Sequence, residues 1–387
     1  MQLSVIILNY NVRYFLELCV LSVENALERI DGEIIVIDNN SSDDSCTMMQ
    51  QRFPRVKLIQ NKENFGFSKG NNIGVEQANG EYICILNPDT VVAEDTFTKV
   101  LAFAESKKDL GIVGVKLIDG AGNFLPESKR GTPTPFVAFT KMMGLYKIRL
   151  KVEMFGRYYA QHLREDETAK VDILVGAFML MKRQLYLDLG GFDENCFMYS
   201  DDIDLSYRML QKGKSNYYYH ETTVLHYKGE STIRDGVYMK RFQEAMNFFY
   251  EKHFKVSAFF SIGMKMGISF FSFVKMFQGK PKSKKVPQSF IFYSANMELA
   301  QKTTSILGKK VSFHDLKTEK MVISSQIKDE TPVEILLDNH YVSFKECIRF
   351  METIKRVGVT FKILPKNTAF LIGSDNSNER GVVVIIE

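Results

Sequence analysis

The stretch LSVIIL, at residues 3–8, is an apolar run of strand length, and the stretch behind it, 14–27, repeats apolar residues at helical spacing. The same alternation continues along the chain. Further strands are predicted at 33–38, 56–61 and 81–87, and a helix is predicted at 68–78. Strands that alternate with helices are joined by right-handed crossovers, so the sequence predicts an α/β domain with a largely parallel sheet covered on both faces.

The carboxyl ends of these four strands all carry asparagine or aspartate. Both residue types favour turns, which explains any one of the four ends taken alone. In parallel α/β sheets, however, ligands bind beyond the carboxyl ends of the strands, so four polar ends in one sheet favour a shared pocket. The residues concerned are Asn9, Tyr10 and Asn11, then Asp38, Asn39 and Asn40, then Asn64 to Gly66, then Asn87 and Asp89.

Composition and charge exclude several classes of protein. The chain has a net charge of +4 and no dense basic helix or arginine-rich arm, which argues against nucleic acid as a partner. Its five cysteines lack metal-binding spacing, and their odd number fits reduced thiols in the cytoplasm. The start of the chain does not resemble a signal peptide, so the protein is expected to stay in the cytoplasm.

Three carboxylates crowd into four positions of the stretch FMYSDDIDLSYR, residues 197–208. Ser200 is a favourable N-cap for the helix that follows, and the helix dipole favours acids in its first turn. Capping accounts for Asp201 and Asp204, and Asp204 can also pair with Arg208 one turn later.

Asp202 is the acid that capping leaves unexplained. A carboxylate beside another carboxylate, near a partly dry pocket, has its pKa raised and becomes a better general base. Catalysis is therefore the role predicted for Asp202, and support for that acid is the role predicted for its two neighbours.

A metal site is suggested by two residues that are far apart in the chain. Asp89 follows a buried strand in ILNPDT (85–90), where a carboxylate can hold a divalent cation on a diphosphate. His226 is a reasonable second ligand, for Mn²⁺ more than for Mg²⁺. Taken singly, an Asn-Pro-Asp turn and a hydrogen-bonded structural histidine are the simpler interpretations.

Residues 256–274 form an apolar stretch with Lys265 at its centre. A lysine there costs roughly 2.5–3.5 kcal/mol on insertion, and it shares one helical face with four serines, opposite the phenylalanines. The stretch fits an amphipathic helix in a membrane interface, followed by lysines that attract anionic headgroups. The alternative is a helix packed on the domain, followed by a solvated linker.

The C-terminal part predicts a second, smaller α/β domain beyond the linker KPKSKKVP (280–287). Neither GxGxxG nor GxxxxGK[ST] occurs in the chain, so the usual dinucleotide and P-loop signals are absent, and no activity follows for this domain. Strands are predicted at 289–294, 333–339, 360–365, 369–374 and 381–386, and helices near 295–307 and 343–357.

Seven motifs, in order, resemble family 2 glycosyltransferases of the GT-A fold, especially their bacterial rhamnosyltransferase-like branch. Each motif is modest alone, whereas the ordered set is specific. The motifs are SVIILNYN (4–11), VIDNNSSDDS (36–45), NFGFSKGNN (64–72), LNPDT (86–90), GAFMLMKR (176–183), GGFDENCFMYSDDIDLSYR (190–208) and HYKGEST (226–232). The C-terminal stretch FLIGSDNSNERG (370–381) loosely resembles α/β regions attached to other bacterial sugar-transfer proteins.

The resemblance implies a Rossmann-like mixed sheet and a site for a nucleotide-sugar donor. Residues at two strand ends would contact the base or ribose, and a loop would cover the donor. The donor-binding residues implied are Asn9, Asn11, Asp38, Asn64, Gly66, Gly70, Asn71 and Asn87.

The resemblance also implies a metal and a base. Asp89 matches the last acid of the family's DxD motif and His226 its later metal-binding histidine, so Mn²⁺ or Mg²⁺ is expected. Asn87 stands where many members have aspartate, which leaves one charge fewer for the metal. Asp202 matches the general base, and one base with one displacement implies inversion at the anomeric carbon.

Together these expectations describe an inverting, metal-dependent glycosyltransferase domain at 1–254, a membrane-interface helix with basic linker at 255–287, and a small α/β domain at 288–387. The expected donor is dTDP-rhamnose or, second, a UDP-sugar. The expected acceptor is a glycan or a polyprenyl-diphosphate-linked sugar in bacterial cell-surface polysaccharide synthesis, met at the cytoplasmic face of the inner membrane.

Two other functions compete with this one. A non-catalytic scaffold that binds nucleotide-sugar or glycan is kept open by Asn87, while Asp202 and His226 count against it. A nucleotidyltransferase would need a glycine-rich, basic loop after the first strand, and LNYNVRYF (8–15) has none.

Overall fold

The structure is a computed structural model that describes residues 1–134, 137, 157–228, 236–254, 287–319, 321, 332–354, 357–375 and 380–386. The helix predicted at 256–274 and most of the basic linker lie outside these residues. Within the described residues, no helix combines the length and the apolar character needed to cross a membrane.

Nine strands of the described residues form the first sheet: β1 (Leu3–Asn9), β2 (Gly32–Asp38), β3 (Lys57–Gln60), β4 (Tyr82–Leu86), β5 (Thr90–Val91), β6 (Leu110–Ile118), β7 (Ala169–Val171), β8 (Phe178–Lys182) and β9 (Ser215–His226). Their spatial order is β3-β2-β1-β4-β8-β6-β9-β5, and β7 pairs with β9. The strands β1 to β4 are parallel, whereas β8 is antiparallel to both β4 and β6. The predicted α/β class is confirmed.

The sheet is less parallel than the alternation of strands and helices predicted. A helix follows each of the first three strands, and these crossovers keep the first four strands parallel. The connection from β6 to β8 instead includes the short strand β7, and β8 enters the sheet in the opposite direction. The strand β6, which the sequence pattern did not single out, lies next to β8 in the sheet.

Seven helices of the described residues accompany this sheet: α1 (Arg13–Leu27), α2 (Ser45–Arg52), α3 (Gly66–Glu76), α4 (Thr96–Glu105), α5 (Arg183–Asp188), α6 (Asp201–Gln211) and α7 (Gly236–His253). The helix α1 shows why such segments fold this way. Leu16, Cys19 and Val23 recur at helical spacing, and they are buried in one cluster with Val5 and Ile7 of β1. Burial of this apolar face holds the helix on the sheet.

Strand register brings distant polar residues together. Asn9 lies opposite Asp38 in the parallel pair of β1 and β2. Thr90 lies opposite His226 in the antiparallel pair of β5 and β9. The polar ends of these strands therefore meet at one edge of the sheet.

A second sheet contains the C-terminal strands β10 (Ser289–Ser294), β11 (Val311–Asp315), β12 (Val333–Asp338), β13 (Val359–Leu364), β14 (Phe370–Gly373) and β15 (Val382–Ile385), with helices α8 (Met297–Leu307) and α9 (Phe344–Thr353). Its order is β11-β10-β12-β13-β14-β15. The first four are parallel and the last two antiparallel. The strand β11 was not predicted, because VSFHD mixes polar and apolar residues that are all half-buried.

The two domains share an apolar cluster. Phe15 of α1 and Leu225 of β9 are buried in one cluster with Phe344 and Met351 of α9. Gly122 permits a close backbone approach, because a Cβ there would lie 2.2 Å from the carbonyl oxygen of Met351, and its φ of +82° also favours glycine. Burial of apolar surface on both sides holds the domains together.

Polar contacts add orientation to this interface. The carboxylate of Glu94 accepts hydrogen bonds from the backbone N–H groups of Phe344 (2.8 Å) and Lys345 (2.9 Å), at the N-terminus of α9. The guanidinium of Arg52 donates to the carbonyl oxygen of Asn367 at 2.6 Å. These bonds cross from the first domain to the second.

Candidate active site

A cavity of about 600 Å³ lies where residues at the carboxyl ends of β1, β2 and β4 meet the N-terminus of α6. The polar strand ends thus contribute to one cavity, as the sequence pattern predicted. The predicted site residues that line it are Asn11, Asn64, Gly66, Asn87, Asp201 and Asp202, and Tyr10 and Asn39 line it beside them.

Asn9 and Asp38 form a buried layer at the strand ends. The Asn9 amide donates to Asp38 Oδ2 at 2.8 Å, and the backbone N–H of Ser41 donates to Asp38 Oδ1 at 2.8 Å. Asp38 is only 3% exposed, and both its oxygens are occupied. In this conformation these two residues fix the loop after β2 and do not line the cavity.

The loop before α3 is shaped by two asparagines and a glycine. The Asn39 amide donates to Asn64 Oδ1 and to the Gly66 carbonyl oxygen, both at 3.0 Å. Gly66 has a φ of +78°, and a Cβ there would lie 2.6 Å from the carbonyl oxygen of Phe197. A side chain at this position would push apart the loop and the segment before α6.

Gly70 and Asn71 lie behind the cavity and do not line it. Gly70 packs against Leu8 at the end of β1. Asn71 is fully buried, and its amide donates to the carbonyl oxygen of Phe67 at 2.9 Å. In this structure the two residues help to seat α3, and their part in shaping a loop over the donor stays a prediction.

The two predicted metal ligands touch each other. Asp89 Oδ1 lies 3.3 Å from His226 Nε2, and both side chains are at least nine-tenths buried. The amide of Asn87, which lines the cavity, lies 3.4 Å from the same imidazole nitrogen. The backbone bond from Tyr227 N–H to the Asp89 carbonyl oxygen, at 3.0 Å, holds β5 and β9 in this register.

This donor set fits a hard divalent cation. It contains one carboxylate, one imidazole and one amide, and within the part of the chain that the structure describes no cluster of three His, Cys, Asp or Glu residues could hold a metal alone. Mg²⁺ and ions like it commonly use few protein ligands and take the rest from phosphate oxygens and water. The set therefore suits a cation that is bound together with a diphosphate.

Asp202 is held at the cavity by two donors. Its Oδ2 accepts hydrogen bonds from Arg130 Nη2 at 2.5 Å and from the backbone N–H of Gly176 at 3.0 Å. Its Oδ1 is buried and has no hydrogen-bond partner among the described residues. One oxygen is thus fixed by two donors, and the other is a buried acceptor without a partner among the described residues.

Arg130 is a site residue that the sequence interpretation missed. Its guanidinium is buried, and although burial opposes the charge, the carboxylate of Asp202 raises the pKa of Arg130 above its ordinary value. Nη2 also donates to the Leu174 carbonyl oxygen at 2.9 Å. The motif SKR (128–130) carries no recognisable spacing relative to Asp202, so only the fold reveals the pair.

Asp201 sits at the first position of α6 and also lines the cavity. Burial, followed by the neighbouring charge of Asp202, raises the pKa of Asp201 to about 7. Its Oδ1 accepts a hydrogen bond from the backbone N–H of Asp202 at 2.8 Å. The predicted contribution of Asp201 to the first turn of the helix is present, and its proton is retained to near neutral pH.

Asp204 does not cap the helix, contrary to the prediction. It is fully buried, and its carboxylate pairs with Arg208 at 2.7 Å, Lys252 at 2.9 Å and His253 at 2.6 Å. One turn into the helix, the side chain points to α7 and away from the free N–H groups. Ser200 does occupy the N-cap position, but it makes no side-chain capping bond; its hydroxyl lies 3.1 Å from the thiol of Cys196.

Comparison with known proteins finds a family that matches the first part of the chain. Residues 4–190 match the family described as Glycosyl transferase family 2. An N-acetylglucosaminyl-diphospho-decaprenol L-rhamnosyltransferase of Mycobacterium tuberculosis is 26% identical over 244 residues, which cover 60% of this chain and 78% of that protein. Rhamnosyltransferase WbbL of Escherichia coli K12 is 28% identical over 221 residues, which cover 53% of this chain and 78% of that protein.

Among solved structures, a mannosyltransferase from Pyrobaculum calidifontis, solved with GDP-Man and Mn²⁺, is 16% identical and has a TM-score of 0.47. The match covers 72% of this chain and 76% of that one.

Proposed function

We propose that the protein is a glycosyltransferase that moves a sugar from a nucleoside-diphosphate donor to a hydroxyl of a glycan or lipid-linked acceptor, with inversion at the anomeric carbon. The match of residues 4–190 to glycosyl transferase family 2 supports this activity. The observation that carries the proposal is the single cavity. Asp202, with one unpartnered oxygen, and Asn87, in contact with His226, both line it.

Asp202 is the proposed general base. The acceptor hydroxyl donates its hydrogen bond to Oδ1, while Arg130 and the Gly176 N–H hold Oδ2 and so orient the carboxylate. The acceptor oxygen forms a bond to the anomeric carbon, its proton passes to Asp202, and the bond to the diphosphate breaks with the electron pair leaving on the phosphate oxygen. One displacement of this kind inverts the anomeric centre.

Asp89 and His226 are the proposed metal ligands, with the Asn87 amide beside them. A bound Mn²⁺ or Mg²⁺ supplies charge that stabilises the departing diphosphate. The chain's own contribution is to keep the carboxylate and the imidazole in register through β5 and β9. Their burial would limit the access of water to a cation held there.

The strand ends are the proposed donor site. Asn11, Asn64 and Gly66 line the cavity and present amide and backbone groups to a nucleotide-sugar. Asn9 and Asp38 support these residues from below, so their proposed role in donor binding is to hold the loop after β2.

Rhamnose is the first proposed sugar, carried by dTDP, and a UDP-sugar is the second. The two relatives described as rhamnosyltransferases support rhamnose, and the decaprenol-linked substrate in the name of one of them supports a polyprenyl-diphosphate acceptor. A cell-surface polysaccharide is the product proposed. Residues 256–274 are proposed to lie at the cytoplasmic face of the inner membrane, where such an acceptor is found.

A screen of nucleotide-sugars tests the function directly. The protein is heated with dTDP-rhamnose and with UDP- and GDP-sugars, each with and without Mn²⁺ or Mg²⁺, because a ligand that binds only the native state raises Tm. Transfer from the stabilising donor to a lipid-linked acceptor is then measured. Stabilisation without transfer or metal-dependent donor hydrolysis would instead favour a non-catalytic scaffold, the alternative suggested by Asn87 in place of an acid.

A further inference from the structure

Two arginines line the cavity although neither belongs to the predicted donor, metal or base residues. Arg241 lies on α7, and Arg380 lies in the C-terminal domain just before β15. Both are exposed, and the Arg241 guanidinium lies 5.0 Å from the centre of the Phe197 ring. Within the described ranges neither guanidinium pairs with a carboxylate, so both charges are free to meet a ligand.

The position of Arg380 follows from how the C-terminal domain is seated. Ser374, at the end of β14, is fully buried against the first domain, and a Cβ on Gly120 would lie 2.3 Å from its carbonyl oxygen. On the other side of Arg380, Val382 pairs with Gly373 in the sheet. The shared apolar cluster and the Glu94 contacts then hold the whole domain in place.

The charges of the cavity favour an anion at Arg380. Arg130 is already paired with Asp202, so it supplies no free positive charge. Arg241 and Arg380 each supply a positive charge that is not paired with a carboxylate among the described residues. The planar fork of a guanidinium matches the oxygens of a phosphate in a bidentate contact. Because both arginines are exposed and line the cavity, they can bind such a group with little loss of hydration.

We infer that the C-terminal domain completes the sugar-transfer cavity by supplying Arg380 as a phosphate-binding residue, with Arg241 as its neighbour in the same role. The inference rests on the proposed function, because that function brings phosphate groups into the cavity. It gives the C-terminal domain a part in substrate recognition.

Two substrates of the proposed reaction carry diphosphate, and both present the same chemistry to Arg380. If the donor is the source, loss of the arginine raises KM for the nucleotide-sugar and weakens binding of the free nucleoside diphosphate. If the lipid-linked acceptor is the source, KM for the acceptor rises, whereas binding of the nucleoside diphosphate and hydrolysis of the donor are unchanged.

The test uses the full-length protein and four variants, Arg380→Ala, Arg380→Lys, Arg380→Glu and the control Arg349→Ala. Arg349 is an exposed arginine of α9 in the same domain and does not line the cavity. Pyrophosphate binding without metal is measured by calorimetry, and KM is measured for donor and acceptor. We expect pyrophosphate to bind about 10- to 100-fold more weakly to Arg380→Ala, which corresponds to one charged hydrogen-bonded contact.

The ranking of the variants by pyrophosphate affinity shows whether the effect is specific to the charge of Arg380. Arg380→Glu should bind pyrophosphate most weakly and Arg380→Lys should retain part of the affinity, while Arg349→Ala should match the wild type. Equal pyrophosphate affinity in wild type, Arg380→Ala and Arg349→Ala would overturn the inference, as would a wild type that does not bind pyrophosphate. A wild type that binds pyrophosphate through Arg380 and transfers no sugar would keep Arg380 as a phosphate-binding residue and remove the proposed function.

Discussion

At the scale of single residues, the site depends on how two adjacent aspartates are made different. Asp202 is oriented by Arg130 and a backbone N–H, whereas Asp201 is buried beside that charge and has its pKa raised to about 7. Two neighbouring carboxyl groups with separate environments can take separate roles. The proposed base is Asp202, whose Oδ1 is buried and has no hydrogen-bond partner among the described residues.

Replacement of Asp202 by Asn tests the base. The amide keeps the shape of the side chain but cannot take a proton, so the transfer rate should fall by about 10²- to 10⁴-fold. The dissociation constant of the donor should change little. Steady-state kinetics and donor titration measure the two effects, with Asp188→Asn, an exposed acid at the end of α5, as the control. Wild-type turnover in Asp202→Asn would refute the assignment.

Replacement of Asp201 by Asn tests the raised pKa. Because the folded state holds this proton to about pH 7 and the unfolded chain releases it near its ordinary pKa, the folded protein binds more protons between those values. The contribution of Asp201 to stability is therefore full at acidic pH and is lost as pH rises toward 7. Urea unfolding from pH 4 to pH 8 should show this decline in the wild type. The decline should be smaller in Asp201→Asn, and identical pH profiles for the two proteins would contradict the prediction.

At the scale of elements, α6 is positioned by its start and by its buried side. Asp201 and Asp202 lie in its first turn at the cavity, and Asp204, one turn further, joins it to α7 through Lys252 and His253. Arg208 also donates to the carbonyl oxygens of Leu189 and Gly191, in the turn that follows α5. The helix thus carries the proposed base on a fixed support.

Replacement of Asp204 by Asn should destabilise the protein strongly. The change leaves the charges of Arg208, Lys252 and the imidazole of His253 without their buried partner, and breaking a buried ion pair from one side costs about 3–5 kcal/mol. Urea denaturation followed by circular dichroism measures the loss. A free energy of unfolding equal to that of Asp188→Asn would show that the cluster contributes nothing.

At the scale of the whole molecule, the second domain is packed onto the first through apolar residues of α1, β9 and α9. Glu94 then joins the end of β5 to the start of α9, where its carboxylate accepts two backbone N–H groups. Acids at a helix N-terminus are stabilised by the helix dipole. The interface therefore combines buried apolar surface with hydrogen bonds that fix the orientation of the second domain on the first.

Replacement of Glu94 by Ala should lower the free energy of unfolding by about 1 kcal/mol, the usual effect of losing a helix cap. The same change should weaken the seating of Arg380 and therefore the affinity for pyrophosphate. Glu105→Ala, an exposed acid of α4, is the matched control. Unchanged stability and unchanged pyrophosphate affinity would contradict the prediction.

Local patterns of the sequence were enough to establish the α/β class, the positions of most strands along the chain, the polar strand ends and the acids at the start of α6. Each of these depends on periodicity or on turn chemistry within a few neighbouring residues. The family was also identified from the ordered motifs, and the match over residues 4–190 confirms it. The roles of the individual site residues stay predictions.

Only the tertiary structure decided which groups meet. Arg130 and Asp202 are 72 positions apart, and Arg380 belongs to another domain, so no spacing in the chain indicates either arrangement. The same holds for two partners of Asp204, Lys252 and His253, which come from α7. Sequence pattern encodes the local backbone, whereas contacts between distant side chains arise from how sheets and helices pack, and packing is a property of the whole chain.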